Sequence, residues 1–195
     1  MSKPRLVIVG GPNGSGKSTF AEEFVACLGI TYLGADAIAA ELSPEDPLSV
    51  RVEAGKQFLF RLDAALKAGE SRVIESTLSG KGLEKHVRRA KEAGYSVTVV
   101  FVTLDSPELC IARIRQRVAQ GGHNVPEEDV RRRFVRARQL FWTHYRHLAE
   151  EWQLFGNAGD GFELIAVGDG TQVSEADPTL LANFIDSVEK KHEQN

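Results

Sequence analysis

The chain has 195 residues, of which 42% are hydrophobic and 26% are charged. This composition is typical of a globular protein and excludes a largely disordered one, and the length predicts a single domain over residues 1–195. The 24 basic and 27 acidic residues give a net charge of −3, so no overall positive field attracts nucleic acid or membranes. No apolar run is long enough to span a bilayer. We therefore expect a cytoplasmic protein whose partners include neither membranes nor nucleic acid.

Short apolar runs alternate with amphipathic segments along the chain. The run at 6–9 ends at a glycine pair and predicts a buried strand, and a helical period follows it over 17–28. Similar runs predict four more strands, at 30–33, 73–74, 97–104 and 162–167. Helical periods predict further helices at about 37–42, 48–67, 83–93, 106–120, 126–150 and 180–188. This alternation is typical of a three-layer α/β/α fold with a mostly parallel, five-stranded sheet.

A glycine-rich loop lies between the first strand and the first helix. Residues 11–18 are a complete G-x4-G-K-S match, and the strand–loop–helix context is the one that a phosphate-binding P-loop requires. Glycines allow backbone N–H groups to surround phosphate oxygens, Lys17 can reach the β- and γ-phosphates of ATP, and the Ser18 hydroxyl can bind Mg²⁺. The expected nucleotide-binding residues are Gly11, Pro12, Asn13, Gly14, Ser15, Gly16, Lys17, Ser18 and Thr19.

Two carboxylates follow predicted strands. Asp36 comes after the second strand and Glu75 after the third, and ligands of α/β proteins bind outside the carboxyl ends of the strands. We therefore expect both side chains beside the γ-phosphate, one as the base for a nucleophile and the other as a ligand of Mg²⁺ or of the substrate. The alternative role for Asp36 is to cap its short helix.

An arginine-rich segment at about 113–138, the lid segment, is the third part of the expected site. It contains eight arginines, three acidic residues and no lysine, a composition that favours bidentate contacts with phosphate. Arg117 and Arg133 flank the apolar stripes of its two helices, and a glycine pair at 121–122 forms a hinge between them. The stripe of the first helix is expected to contain Cys110, Ile111, Ile114 and Val118. A solvated basic face and a nucleic-acid surface are the alternatives.

The order of these motifs resembles the zeta-toxin family of P-loop kinases, and in particular its short bacterial branch often labelled predicted ATPases. The matching stretches are the P-loop through Thr19, Gly34-Ala35-Asp36-Ala37-Ile38-Ala39, Glu75-Ser76-Thr77, and residues 117–126 with Arg133-Phe134 behind them. The resemblance covers roughly residues 5–170, and the order of the motifs is more specific than any one of them.

The resemblance implies a kinase that uses ATP and Mg²⁺. The better-known members phosphorylate the 3′-hydroxyl of the sugar in UDP-N-acetylglucosamine and related UDP-sugars, which blocks cell-wall synthesis. By position, Asp36 would accept the hydroxyl proton and Glu75 would help to hold the acceptor. Lys17, Arg117 and Arg133 would stabilise the transferring phosphoryl group. The family also implies an antitoxin protein as a partner.

Two other functions remain open from the sequence. Residues 78–82 resemble the signature of ABC-type ATPases, which couple hydrolysis to movement, although they stand close behind the P-loop and Ser106 occupies the position of the catalytic glutamate. A nucleotide-binding module that uses ATP only to order a partner surface is the second alternative.

Overall fold

The computed structural model describes residues 3–159 and 161–189, and within them seven strands form one sheet. The strands are β1 Arg5–Gly10, β2 Thr31–Leu33, β3 Arg72–Ser76, β4 Ser96–Thr103, β5 Glu151–Gly156, β6 Glu163–Asp169 and β7 Gln172–Ala176. Their order in the sheet is β2-β3-β1-β4-β5-β6-β7. The pairs among β1 to β5 are parallel, and β6 and β7 extend the sheet by antiparallel pairing. The chain therefore has an α/β fold with a mostly parallel sheet.

The end of the first helix and the start of the fifth follow local capping signals. Gly29 ends the first helix in a left-handed conformation, and the Ser106 hydroxyl accepts a hydrogen bond from the Leu109 N–H at the start of the fifth, with Pro107 as its first residue. The helices are α1 Lys17–Leu28, α2 Ala35–Leu42, α3 Arg51–Lys67, α4 Glu84–Glu92, α5 Pro107–Ala119, α6 Glu127–Leu140, α7 Arg146–Leu148 and α8 Pro178–Glu189, with a π-helical turn at Phe141–Tyr145.

The central strands are buried on both faces of the sheet, and their alternate residues point into two different apolar layers. One apolar layer packs against α3, α4, α6 and α8, and it includes the strand residues Leu6, Ile8, Ile74, Val99, Phe101 and Trp152. The other packs against α1, and it includes Val7, Val9, Val73, Val100 and Val102. The three layers predicted from the sequence are therefore present, with β1 at the centre of the parallel part.

The predicted number of strands, five, was wrong. Strand β5 is not predicted because Trp152 and Leu154 are two apolar positions in a six-residue segment directly after the predicted helix, which is too short a pattern to indicate a strand. Strand β7 was missed because four of its five residues are exposed, so no apolar pattern marks it. The helix predicted to reach residue 150 is interrupted by the π-helical turn and ends at Leu148.

The two lid helices pack against each other through a separate apolar cluster. Its buried members are Leu104, Cys110, Ile111, Ile114, Val125, Val130 and Phe134. Val118, predicted to belong to the buried stripe, is 39% exposed, because the last turn of α5 extends beyond this cluster toward the glycine pair. No helix within the described ranges combines the length and the apolar character that a membrane span needs.

Candidate functional site

The loop between β1 and α1 has positive φ angles, which residues with side chains rarely adopt, at Gly11, Gly14 and Gly16. Gly14 and Gly16 have φ angles of 81° and 94°, in the left-handed region. A Cβ atom on Gly14 would lie 2.5 Å from the carbonyl oxygen of Cys110, and one on Gly16 would lie 2.4 Å from Nδ2 of Asn157. The loop is thus closely packed against Cys110 and Asn157. It leads into the N-terminus of α1, where partial positive charge favours an anion.

Lys17 is the first residue of α1 and its side chain is buried. Its Nζ donates a hydrogen bond to the Pro12 carbonyl oxygen at 2.9 Å and lies 3.9 Å from Oε1 of Glu75. Burial lowers the pKa of the Lys17 ammonium group, while the negative charge of Glu75 acts in the opposite direction. A phosphate group in front of Lys17 would add a second charge that favours the protonated lysine.

Asn157, directly after β5, links the loop to two other parts of the site. Its Nδ2 donates to the Ser15 carbonyl oxygen at 2.8 Å, and its backbone N–H donates to the Thr103 carbonyl oxygen at 3.0 Å. Its own carbonyl oxygen accepts a hydrogen bond from Nη2 of Arg113 at 2.7 Å. One residue at the end of the parallel sheet therefore fixes the P-loop through its side-chain amide and an arginine of α5 through its backbone carbonyl oxygen.

The two carboxylates lie on neighbouring elements at this edge of the sheet. Asp36 is in the first turn of α2, behind the extended residue Gly34, so Asp36 is not the N-cap residue itself. Its side chain is 81% exposed, and its Oδ2 lies 3.9 Å from Nε2 of His123. Glu75 is the second-last residue of β3 and has a largely buried side chain, and its Oε2 accepts a hydrogen bond from the Tyr32 hydroxyl at 3.1 Å.

The lid arginines lie near the P-loop and the two carboxylates, on the helices α5 and α6. Nη2 of Arg117 donates to the His123 carbonyl oxygen at 3.0 Å, while Nε of Arg117 is buried without a hydrogen-bond partner in the described structure. Nη1 of Arg133 donates to Oδ1 of Asn13 in the P-loop at 3.4 Å, and Nη2 of Arg133 lies 3.6 Å from Asp129. Arg117 therefore keeps a buried donor that an anion would satisfy.

These residues line two adjoining cavities. The larger, of about 680 Å³, extends along the P-loop, and the smaller, of about 190 Å³, lies toward the end of β3. The larger alone is lined by Gly14, Gly16, Ser18, Thr19, Glu23, Arg113, Ile114, Arg117, His123, Asn157, Gly159, Gly161 and Phe162. The smaller alone is lined by Tyr32, Ala35, Ser76, Thr77 and Arg133. Both are lined by Asn13, Lys17, Asp36 and Glu75.

The donor groups fit a magnesium nucleotide. No cluster of three His, Cys, Asp or Glu side chains suited to a metal ion occurs in the described part of the chain. A magnesium ion bound through phosphate oxygens and water needs only one or two protein ligands. The exposed Ser18, which follows Lys17 at the start of α1 and lines the larger cavity, offers such an oxygen.

Two residues of the site were not predicted from the sequence. Asn157 lies 142 positions from Ser15, the loop residue that it binds. The sequence feature that could have indicated its role is the Gly-Asn pair directly after β5, a strand that the sequence pattern does not predict. Tyr32 lies in a predicted strand, and nothing local distinguishes it from a packing residue. His123 lies in the loop between the lid helices, and its Nε2 is 3.9 Å from Oδ2 of Asp36.

The sequence matches one family model and one curated relative. The model of AAA_33, described as an AAA domain, matches residues 6–140, which include the P-loop and both lid helices. An uncharacterized protein of Haemophilus influenzae is 33% identical over 127 residues, which are 64% of this chain and 88% of the relative.

Solved structures share the fold at lower identity. The crystal structure of AvrRxo1-ORF1:AvrRxo1-ORF2 with sulphate ions has a TM-score of 0.70 and 21% identity over 93% of this chain. The match covers 63% of the AvrRxo1 chain, which is less than two thirds of its length. The same pair of proteins with ATP has a TM-score of 0.68 at 21% identity, over 96% of this chain and 64% of that one. The PezAT toxin–antitoxin structure from Streptococcus pneumoniae has a TM-score of 0.62 and 16% identity over 99% of this chain and 88% of that one.

Proposed function

The chain belongs to the AAA domain family, and from that premise we propose that it is an ATP-dependent P-loop kinase, which transfers the γ-phosphoryl group of ATP to a hydroxyl group of a small acceptor. The observation that carries the proposal is the pair of adjoining cavities, because Lys17, Asp36 and Glu75 line both. A cavity along the P-loop suits the nucleotide, a smaller one suits an acceptor, and the residues between them would surround the reacting atoms.

The nucleotide would bind with its triphosphate along the P-loop. Backbone N–H groups and the N-terminus of α1 would hold the β-phosphate, Lys17 would contact the β- and γ-phosphates, and the Ser18 hydroxyl would hold Mg²⁺. The magnesium ion, when bound, neutralises part of the charge on the β- and γ-phosphate oxygens. Lys17 would exchange the Pro12 carbonyl oxygen, which it contacts at 2.9 Å, for phosphate oxygens.

Asp36 would act as the general base. Its carboxylate accepts the proton of the acceptor hydroxyl while that oxygen forms a bond to the γ-phosphorus, and the bond from phosphorus to the bridging oxygen of ADP breaks. An exposed carboxylate at the junction of the two cavities is accessible to an acceptor that enters from solvent. Glu75, which is largely buried beside Tyr32 and Lys17, would hold the acceptor rather than take its proton.

The lid arginines would stabilise charge on the transferring group. Arg117 lines the nucleotide cavity and Arg133 lines the acceptor cavity, so the two guanidinium groups approach the junction from different sides. The unpartnered Nε of Arg117 supports a contact with an anion, because a buried donor without a partner is costly. Closure about the glycine pair would also exclude water from the reaction.

For the acceptor, we propose a hydroxylated small molecule, with UDP-sugars such as UDP-N-acetylglucosamine as the first candidates to test. The motif order that resembles the zeta-toxin family is the reason for this choice. PezAT, one of the proteins that shares the fold, is a toxin–antitoxin system, and we accordingly propose an antitoxin protein as a partner. The single kinase domain over residues 1–195 belongs to the same proposal.

The decisive experiment combines an acceptor panel with one substitution. The protein is incubated with γ-labelled ATP, Mg²⁺ and individual UDP-sugars, and the label is followed into product. Asp36→Asn should leave the Kd of ATP within about twofold while transfer falls by 10²-fold or more, because a base is needed for transfer and not for ATP binding. Asp46→Asn, in the loop between α2 and α3, is the matched control and should transfer at the wild-type rate.

The same experiment distinguishes the other roles of Asp36 and the alternative function of the protein. If the variant loses ATP binding and transfer together, Asp36 is a structural or metal-binding residue. If wild-type protein binds ATP but labels no acceptor and hydrolyses no ATP, a nucleotide-binding module replaces the kinase.

A further inference from the structure

The carboxylate of Glu75 is held from two sides. Its Oε2 accepts the hydrogen bond of the Tyr32 hydroxyl at 3.1 Å, and its Oε1 lies 3.9 Å from Nζ of Lys17. The first distance is a hydrogen bond and the second is too long for one. Glu75 is therefore hydrogen-bonded to the neutral partner, while it stays beyond hydrogen-bond distance of the charged one and interacts with it only as a longer ion pair.

The parallel register of the sheet explains this arrangement. Tyr32 of β2 pairs with Val73 of β3, and Glu75 lies two residues beyond Val73. Side chains two positions apart lie on the same face, so Tyr32 and Glu75 both point toward the layer of α1. Lys17 begins that helix, and the three side chains consequently meet at one corner of the site.

The position of Tyr32 is also fixed from its other side. A Cβ atom on Gly34 would lie 2.2 Å from the Tyr32 hydroxyl oxygen, so the ring lies directly on the backbone of that glycine. Gly34 precedes α2 as its N-cap residue. The phenol is thus held between the start of α2 and Glu75, and it has little freedom to leave the carboxylate.

The hydroxyl of Tyr32 is a permanent donor. Burial, together with the negative charge and hydrogen bond of Glu75, raises the pKa of Tyr32 far above its ordinary value. The phenol therefore stays protonated at every pH at which the protein would work.

Glu75 and the phosphates of ATP compete for the same lysine. An ammonium group and a carboxylate attract each other strongly in a buried site, and a direct hydrogen bond between Lys17 and Glu75 would have to be broken each time a nucleotide binds. We propose that Tyr32 is a positioning residue that keeps Glu75 beyond hydrogen-bond distance of Lys17 and so leaves the lysine available to the phosphates of ATP. The inference rests on the nucleotide-binding part of the proposed function and needs no acceptor.

The test measures ATP affinity in variants of the full chain by titration calorimetry with Mg²⁺ and ATP. Tyr32→Phe removes the hydroxyl and keeps the ring, so Glu75 can rotate onto Lys17. The Kd of ATP should rise about tenfold, the scale of one hydrogen bond to a charged group. Adding Glu75→Gln to Tyr32→Phe removes the competing charge, and the Kd should return to within about twofold of that of Glu75→Gln alone.

Two further variants complete the test. Glu75→Gln alone leaves Tyr32 in place and should bind ATP at least as tightly as wild type. Tyr95→Phe is the matched control, because the Tyr95 hydroxyl donates to the carbonyl oxygens of Ala65 and Glu70 at 3.1 Å each, at the opposite edge of the sheet from the site. It should lower the melting temperature and leave the Kd of ATP unchanged.

Each result decides the inference. Wild-type affinity in Tyr32→Phe would overturn it, as would weak binding that persists when Glu75→Gln is added, since Tyr32 would then act through packing alone. Weaker binding of ATP by Glu75→Gln alone would overturn it by making Glu75 a direct ligand of the nucleotide. If wild-type protein fails to bind ATP at all, the proposed function itself fails, which is a different result.

Discussion

The P-loop region and the lid segment each place a cationic side chain at the site, and the surrounding residues hold Lys17 more firmly than Arg133. The side chain of Lys17 is 7% exposed, and its charge is surrounded by the Pro12 carbonyl oxygen and the Glu75 carboxylate. The loop that precedes it is fixed by left-handed glycines and by the amide of Asn157. Arg133 of the lid has a side chain that is 34% exposed and reaches the loop through one hydrogen bond of 3.4 Å to Asn13.

The difference suggests a division of labour. A cation that is already in place binds the ground state and the transition state alike, and it contributes mainly to affinity. A cation that arrives with a moving segment can contact charge that develops only during transfer, and it contributes mainly to rate. The lid helices share an apolar cluster of their own, but Ala137 of α6 also belongs to a layer that packs on the sheet, so we expect movement in the loop around the glycine pair rather than of both helices together.

Lys17→Ala gives the largest expected effect, and it tests the fixed side of the comparison. Removing the buried ammonium group leaves the phosphates of ATP without their principal protein charge, and the Kd of ATP should rise by about 10²-fold or more, on the scale of other charged active-site contacts. Lys56→Ala, which removes a lysine whose side chain is 72% exposed on α3, is the control. Equal ATP binding by both variants would show that the loop does not bind the triphosphate.

Arg117→Ala and Arg133→Ala test the movable side. Each should lower the rate of phosphoryl transfer by about 10²-fold while the Kd of ATP changes much less, on the scale of removing an arginine finger. Arg132→Ala is the matched control, because Arg132 is next in sequence on the same helix, exposed, and paired with Asp129. Transfer rates are measured at saturating ATP, so that affinity and rate are separated.

The same variants distinguish the other interpretations of the arginine cluster. If the cluster is a solvated basic face, all three variants should transfer at the wild-type rate. If it is a nucleic-acid surface, they should keep transfer and lose polynucleotide binding, with a strong dependence on salt. A loss of ATP affinity equal to the loss of rate would place the arginines with Lys17, and the division of labour would be wrong.

Sequence reasoning worked where the structure depends on residues close together in the chain. The P-loop is a local motif in which glycines permit the turn and a helix begins directly after it, so its position could be predicted from a few consecutive residues. Parallel strands align their carboxyl ends, so Asp36 and Glu75 could be assigned to one edge of the sheet. Both line the same cavity as Lys17, and their chemical roles stay predictions.

The parts that were missed depend on contacts between distant residues. Asn157 meets the P-loop only because β5 pairs with β4, and β5 is a short strand next to a helix without a long apolar run. Strand β7 is an exposed edge strand that is held by β6, so its own sequence carries no pattern of burial. The hydrogen bond from Tyr32 to Glu75 joins residues 43 positions apart. It depends on the register between β2 and β3, and hydrophobic periodicity in the sequence does not define that register.

Gly122→Ala gives the smallest expected effect, and it sharpens the comparison within the lid. A Cβ atom at this position would lie 2.6 Å from Cγ of Arg117 and 3.0 Å from its carbonyl oxygen, so the added methyl group would displace that side chain. The rate of transfer should fall by about threefold to tenfold, less than in Arg117→Ala because the guanidinium group stays present but misplaced. The Kd of ATP should stay at the wild-type value, since the P-loop is untouched. Gly55→Ala is the control, because a Cβ there meets nothing within 4 Å and alanine stabilises a helix interior relative to glycine. The control variant should raise the melting temperature and leave the transfer rate unchanged. A wild-type transfer rate in Gly122→Ala would show that catalysis does not depend on where the lid holds Arg117.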